Sequence, residues 1–449
     1  MTAIKKTVMI TVLLAILFIS RSIVAQPVSL NLEKCIEQAL KNNFELKMQQ
    51  EQVNYAQEKK NEARSHRLPH LDFEASYLRF SEVMEADISE NFTGLPFQIP
   101  PTTLRFGDED NYSLKLSLSQ PIYTGGKISN NIKAGEKAVS AELSHTNHVK
   151  NDLIYKVKEA YYNLLTAQQK KLVAELSRKV IQAHRDDLEN MHQQGLVPKN
   201  EILKADIKLA EVELMILKAN NGIDLIRKSL LNLLGMDLNT EIVPDDDLSF
   251  EPLIIEQEDA LQTAFEKRPE LRALNFNISS LEHIKRAAKG DYWPMISFVG
   301  NYEYGKPGLN RLQNEWMDYW TVGVVAKWKL WDWGETRSKV AQSRASMEKL
   351  IQNKYNIQNA IRLDIDRALL KKKEAMESVE VYQKIKMQAE ENYRLVKDRF
   401  KQGLETNSEF LDAETQLTKA RIEELTAIAE YQIAVANLER AMGRLADFK

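Results

Sequence analysis

Seven histidines are the first residues to test for chemistry. His145 and His148 stand one helical turn apart, and His66 and His70 flank Pro69. A metal site needs a third and usually a fourth ligand, and neither pair comes with a cysteine cluster or an HExxH motif. These are read as surface histidines, and no metal site is expected. Asp245-Asp246-Asp247 lacks the spacing of a calcium loop and reads as a solvated linker. The chain has no glycine loop that would cradle phosphate and no activated-nucleophile motif. The reading is of a protein that is not an enzyme and needs no cofactor. Its only cysteine, Cys35, cannot form an intrachain disulfide.

What remains is the framework that would have carried such groups. Lys127 to Gln194 contains no proline and a single glycine, Gly135. Ile128, Ile132, Val139, Leu143, Leu153, Val157 and Leu164 recur at helical spacing. A continuous helix of that length spans roughly 100 Å at 1.5 Å per residue, a strut rather than a globular element. Glu335 to Gln402 repeats the pattern with neither proline nor glycine. The first strut stops at Gly195-Leu196-Val197-Pro198, and Lys199 to Leu234 returns as a second helix ending at Gly235.

Before each strut the period changes from 3.6 to 2. Leu71, Phe73, Ala75 and Tyr77 alternate with Asp72, Glu74 and Ser76, and Leu114, Leu116 and Leu118 with Lys115 and Ser117. Residues 81 to 110, with Pro96, Pro100 and Pro101, read as an irregular polar loop. Later, Ile296, Phe298, Tyr302 and Tyr304 alternate with Ser297, Asn301 and Glu303. Trp320, Val322, Val324, Trp328 and Leu330 alternate with Thr321, Lys327 and Lys329. The strands are therefore expected at about 70–80, 111–122, 295–304 and 320–331.

The order recurs in register. Ala39 and Ala264, Glu45 and Glu270, Pro69 and Pro294, and Tyr77 and Tyr302 are each 225 positions apart. Gly126 and Gly334, Gly195 and Gly403, Leu203 and Leu411, and Gly235 and Gly443 are each 208 apart. The chain reads as an internal duplication, with a first repeat over 26–245 and a second over 246–449.

Residues 1–25 carry Lys5 and Lys6 ahead of the apolar run Val8–Ile19 and end on Ala25, the layout of a cleavable signal peptide. No later segment has the length and apolarity of a membrane helix. Net charge is −3 and there is no basic block, which leaves no footprint for nucleic acid. All six tryptophans, Trp293, Trp316, Trp320, Trp328, Trp331 and Trp333, cluster around the second strand pair. Aromatic residues flanking strands with one apolar and one polar face are the pattern of a transmembrane β-barrel. Four strands cannot close such a barrel, and open edges cannot face lipid, so several chains must share one. Sheet and struts together give an oligomeric conduit with a helical extension.

This arrangement resembles the TolC-like outer-membrane efflux family over residues 30 to 446. The motifs that carry the resemblance are Gly403-Leu404-Glu405-Thr406 running into Glu409, Leu411, Asp412 and Ala413, its first copy Gly195 to Ala205, Ala39 to Asn43, and Arg268-Pro269-Glu270-Leu271. The resemblance implies a homotrimer in the outer membrane of a Gram-negative bacterium, with a 12-stranded β-barrel continuous with a 12-helix α-barrel tunnel. It implies a passive exit channel contacting outer-membrane lipid, a periplasmic adaptor (membrane fusion) protein and an inner-membrane transporter, proton-driven or ATP-driven. By position it makes Glu409 and Asp412 a periplasmic gate. It makes the hairpin tips, Gly195, Leu196, Val197, Pro198, Gly403, Leu404, Glu405 and Thr406, adaptor contacts. The tryptophans become an aromatic girdle. Against this stand plainer readings: carboxylates favoured near a helix N-terminus, and glycines needed by any tight turn. The runner-up function is a secreted coiled-coil scaffold without a pore. A periplasmic adaptor would show one hairpin between β-rich halves, not two hairpins each rooted in strands.

Overall fold

The computed structural model describes residues 28–87 and 103–445; the expected signal peptide and Pro96, Pro100 and Pro101 lie outside them. In chain order the elements are β1 (Val28–Leu30), α1 (Leu32–Asn42), α2 (Phe44–Ser65), β2 (His70–Arg79), β3 (Met84–Asp87), β4 (Thr103–Phe106), β5 (Asp110–Tyr123), α3 (Lys127–Gln193), α4 (Lys199–Leu234) and β6 (Ile242–Pro244). Then follow α5 (Gln257–Lys267), α6 (Pro269–Lys289), a 3-10 turn (Gly290–Tyr292), β7 (Met295–Lys306), β8 (Met317–Lys327), α7 (Glu335–Lys401) and α8 (Asn407–Ala441). The order of two short helices, two long strands, a very long helix and a shorter returning helix thus occurs twice. Among the described residues no helix is long and apolar enough to cross a membrane.

The chain divides into two compact units. The first gathers the residues up to Met48, Asn147–Arg268 and those from Ala360 onward. Its largest core packs α1, α3 and α4 through Ile36, Leu153, Val157, Tyr161, Leu164, Leu230 and Leu234, all at most 2% exposed. A second cluster joins α7 to α8 through Val379, Ile428 and Tyr431. The break between α1 and α2 has a local cause. The Asn43 side-chain oxygen accepts from the Leu46 N–H, capping α2, while its amide donates to the Leu233 carbonyl. At the start of α6 the buried Arg268 guanidinium pairs with Asp364 and donates to the Ala441 carbonyl, tying three helices.

Asp246 corrects the expectation of a solvated linker. β6 pairs in parallel with β1, and the Asp246 carboxylate then accepts from the Leu32 N–H at 2.8 Å and lies 2.7 Å from the Tyr161 hydroxyl. A run of three aspartates carries no local sign of this, because its partners come from far along the chain.

The second unit comprises Gln49–Thr146 and Pro269–Asn359. Its centre is an antiparallel sheet in the order β2-β5-β7-β8. Helices pack in the same unit: the Ser280 hydroxyl of α6 donates to the Ala134 carbonyl of α3, and Gln49 of α2 donates to Glu142. Two strand expectations need correction. The segment read as an irregular loop contains the short pair β3–β4, held by Arg105–Glu85 at 2.6 Å and Thr103–Asp87 at 2.7 Å. Four residues of alternation on each side are too few to stand out. At the other end, β8 stops at Lys327, which pairs with Met295, so Trp328 and Leu330 lie beyond it. Pro294 has no N–H to continue the ladder, and the chain turns into α7 as Asp332 accepts from the N–H groups of Gly334 and Thr336.

Candidate functional site

Register turns four alternating strands into one sheet with two unlike faces. Phe73, Leu116, Tyr302 and Trp320 form one cross-strand row, and Leu71, Leu118, Gly300 and Val322 the next. The opposite face carries the rows Glu74, Lys115, Glu303, Tyr319 and Asp72, Ser117, Asn301, Thr321. There Glu303 accepts from the hydroxyls of Ser113 and Tyr319 at 2.9 and 2.6 Å. In a sheet resting on a core, the apolar face would be buried. Here Phe73 and Trp320 are each 69% exposed and Val324 is 64% exposed. Among the described residues, the outer strands β2 and β8 each pair on one side only. Such a face suits an apolar surrounding, and such edges require further strands.

The aromatic residues fall at both ends of this apolar face. Tyr77, Tyr112, Trp316 and Tyr304 form a chain with ring centroids 5.0, 5.7 and 5.0 Å apart. Trp293, Trp328, Trp331 and Trp333 stand past the opposite strand ends, with Trp331 edge-on to Trp333 at 5.7 Å. Trp320 lies inside β8.

The hairpin tips belong to the first unit and share one backbone design. Leu196 N–H donates to the Met191 carbonyl and Gly195 N–H to that of His192. Leu404 and Gly403 repeat this with Arg399 and Phe400. This pair of hydrogen bonds closes a helix around a left-handed residue, and φ is +75° at Gly195 and +71° at Gly403. Leu196 and Leu404 project into solvent; Val197 is half-buried and packs beside Leu188, Ile202, Ala205 and Phe400. The next helices start differently. Thr406 caps α8 by accepting from the Glu409 N–H at 3.2 Å, whereas Pro198 gives α4 no side-chain cap.

Glu409 and Asp412 lie exposed in the first turns of α8 and form no ion pair among the described residues. Their counterparts 208 positions earlier are Glu201 and Lys204, which bond each other at 3.1 Å. Glu201 also accepts from the Asn407 amide, and this hydrogen bond together with Lys204 holds its carboxyl below the usual range. Of the two related carboxylates, Glu201 is paired with a cation and Glu409 is not, among the described residues.

The sequence reading missed a set of side chains near the tips. His184 of α3 is buried against Phe400 and Phe410 and faces Asn407. Its one local signal is a pair of phenylalanines straddling the Gly403 turn. His148 lies 3.7 Å from Asp152, and among the described residues no group of three potential ligands could hold an ion.

These features match known proteins. The family model described as "Outer membrane efflux protein" covers residues 35–236 and 260–444. The alkaline protease secretion protein AprF of Pseudomonas aeruginosa is 22% identical over 350 residues, 74% of this chain and 71% of AprF. The structure also resembles the outer-membrane channel CmeC of Campylobacter jejuni, with TM-score 0.72 and 18% identity over 92% of this chain and 86% of CmeC. The open-state channel MtrE of Neisseria gonorrhoeae gives TM-score 0.73 and 19% identity over 92% and 89%. The scaffold reading leaves the two-faced sheet and this likeness unexplained: the chain belongs to the outer membrane efflux protein family and is an outer-membrane exit channel.

Proposed function

We propose that three copies of the chain close one twelve-stranded barrel, each supplying the sheet β2-β5-β7-β8, and that their long helices form a twelve-helix tunnel reaching into the periplasm. The observation that carries this is the register, which sorts all four strands into one apolar and one polar face and leaves β2 and β8 open. In the closed barrel the apolar rows meet lipid, and Glu74, Lys115 and Glu303 line water. Trp293, Trp328, Trp331 and Trp333 at one end, and Trp316 with the tyrosine chain at the other, form aromatic girdles at the two interfaces, while Trp320 lies between them within β8. The tips Gly195–Pro198 and Gly403–Thr406 meet a periplasmic adaptor, which links the duct to an inner-membrane transporter, proton-driven or ATP-driven. Energy enters through that partner. AprF is named for protease secretion, and CmeC and MtrE are outer-membrane channels; the duct serves the cargo its pump selects.

Glu409 and Asp412 form the periplasmic gate in this reading. Three copies bring six carboxylates toward one axis, where the gathered negative charge attracts cations. The experiment is single-channel recording in a planar bilayer with a multivalent cation on the periplasmic side. Wild-type current is expected to be blocked and the Glu409→Ala/Asp412→Ala pair to relieve the block. An unchanged block removes the gate assignment; failure of the protein to conduct at all removes the duct.

A further inference from the structure

Near the tips, His184 lies where the ends of four helices meet. It belongs to α3, is 5% exposed, and stacks on Phe410 of α8 with ring centroids 3.9 Å apart. Phe400 of α7 meets it edge-on at 4.9 Å. Its Nε2 lies 2.8 Å from the side-chain oxygen of Asn407, also in α8. The Asn407 amide nitrogen is committed elsewhere: it donates to both the carbonyl and the carboxylate of Glu201 in α4, each at 3.0 Å. Asn407 therefore offers His184 only its oxygen, so Nε2 carries the hydrogen of a neutral ring. Through one imidazole, α3 and α7 of the two hairpins join α8 and, by way of Asn407, α4.

We propose that this junction is a proton-sensitive latch: a neutral His184 holds the two hairpin tips together, and protonation releases them. The ring borders a cleft of about 700 Å³ that contains Lys179 and Asp187 of α3 and Tyr393, Lys397 and Lys401 of α7. From α4 the facing charge is Glu201, already engaged by Lys204 and Asn407. From α8 the near groups are Asn407 and Phe410, which carry no charge, and farther along the buried Glu414, which accepts from Thr418. An imidazolium would thus enter a cleft lined by three lysines and, among the described residues, by one carboxylate, Asp187.

The sign follows from burial. Burial pushes the His184 pKa below its ordinary value, against smaller opposing effects of Asn407 and Asp187. A lowered pKa means that the packed state prefers the neutral ring. Its stabilisation is complete above the ordinary value of about 6.5 and is lost as pH falls through the lowered one. Glu414 has the opposite sense. Burial raises its carboxyl, so acid favours packing there. Glu201, held below the usual carboxylate range by Asn407 and Lys204, loses its stabilisation only in stronger acid, so loosening between about pH 7.5 and about pH 5 is assigned to His184. As regulation of the duct's mouth, the latch rests on the gate reading above; the test reads the tips themselves, so the two can fail separately.

The experiment places nitroxide labels at Leu196→Cys and Leu404→Cys, both exposed, in the full chain diluted into an excess of unlabelled chain. Cys35 is fully buried and does not take the label. Distances between labels are read by pulsed electron resonance from about pH 7.5 to about pH 5. The expected result is a shift to longer, broader distances with a midpoint below about 6.5. His184→Gln, which keeps an amide donor near Asn407, should hold the short distance throughout, and Glu414→Gln should leave the response in place. Unchanged wild-type distances, a midpoint above about 6.5, a response that survives in His184→Gln, or one lost in Glu414→Gln would each overturn the proposal. If His184→Gln is apart at every pH, the wild-type midpoint decides in the same way.

Discussion

Helices α4 and α8 are related by the same offset of 208 positions, yet they live in different surroundings. Each follows a glycine turn, and each ends at a left-handed glycine, Gly235 at φ +65° and Gly443 at φ +72°. Leu230 and Leu438 correspond, and both are fully buried. Beyond that shared end they part. Leu411 is 3% exposed and its counterpart Leu203 is 51% exposed. In α8, Ala413, Ala420, Ala427, Ala434 and Ala441 let neighbouring backbones close in. In α4, Leu203, Ile207, Leu214, Leu217 and Leu225 form an exposed stripe at spacings close to a heptad seam. The two hairpins share turns and helix ends and differ in the faces between them. One copy is satisfied within its own chain. The other keeps a seam which, in the proposed trimer, a neighbouring copy covers.

The contrast breaks most readily at the paired leucines. Leu411→Ala is expected to cost about 2–5 kcal/mol, as deletion of a buried leucine does. Leu203→Ala should stay within about 0.5 kcal/mol for the single chain. Denaturant unfolding in detergent checks both, and equal losses would erase the distinction. The glycines sharpen it next. A Cβ on Gly235 would approach the Asn42 carbonyl oxygen to 2.6 Å, while one on Gly403 would meet nothing within 4 Å. Gly235→Ala should therefore cost roughly 3 kcal/mol, from clash and backbone strain together. Gly403→Ala should cost about 1 kcal/mol from strain alone. The smallest effect lies at the helix starts. Thr406→Ala removes a cap worth about 1 kcal/mol and should speed hydrogen exchange at the Glu409 amide. Pro198→Ala removes no cap and should leave the first turn of α4 as protected as before.

What the sequence disclosed was whatever depends on near neighbours. The alternation through Phe73 or Tyr302 is a property of a few consecutive residues, as is the proline-free run of α3. The Gly195 and Gly403 stops are local in the same way. Register is not local: Leu116 pairs with Tyr302 across most of the first repeat, and only that pairing makes the two faces coherent. Asp246 and His184 were illegible for the same reason, since their partners Leu32, Tyr161 and Asn407 come from distant segments. β8 ends early because Pro294, beside its partner strand, cannot donate. The motif around Glu409 points to a gate through family likeness; periodicity alone would make it an ordinary first-turn carboxylate.

The sheet β2-β5-β7-β8 has a bearing on how the protein is made. A lone chain has no congenial solvent: water rejects the row Phe73, Leu116, Tyr302 and Trp320, and lipid rejects the unpaired backbone along β2 and β8. Neither medium can host the sheet before its partners arrive. In the proposed trimer, strand closure, subunit meeting and entry into the bilayer therefore coincide.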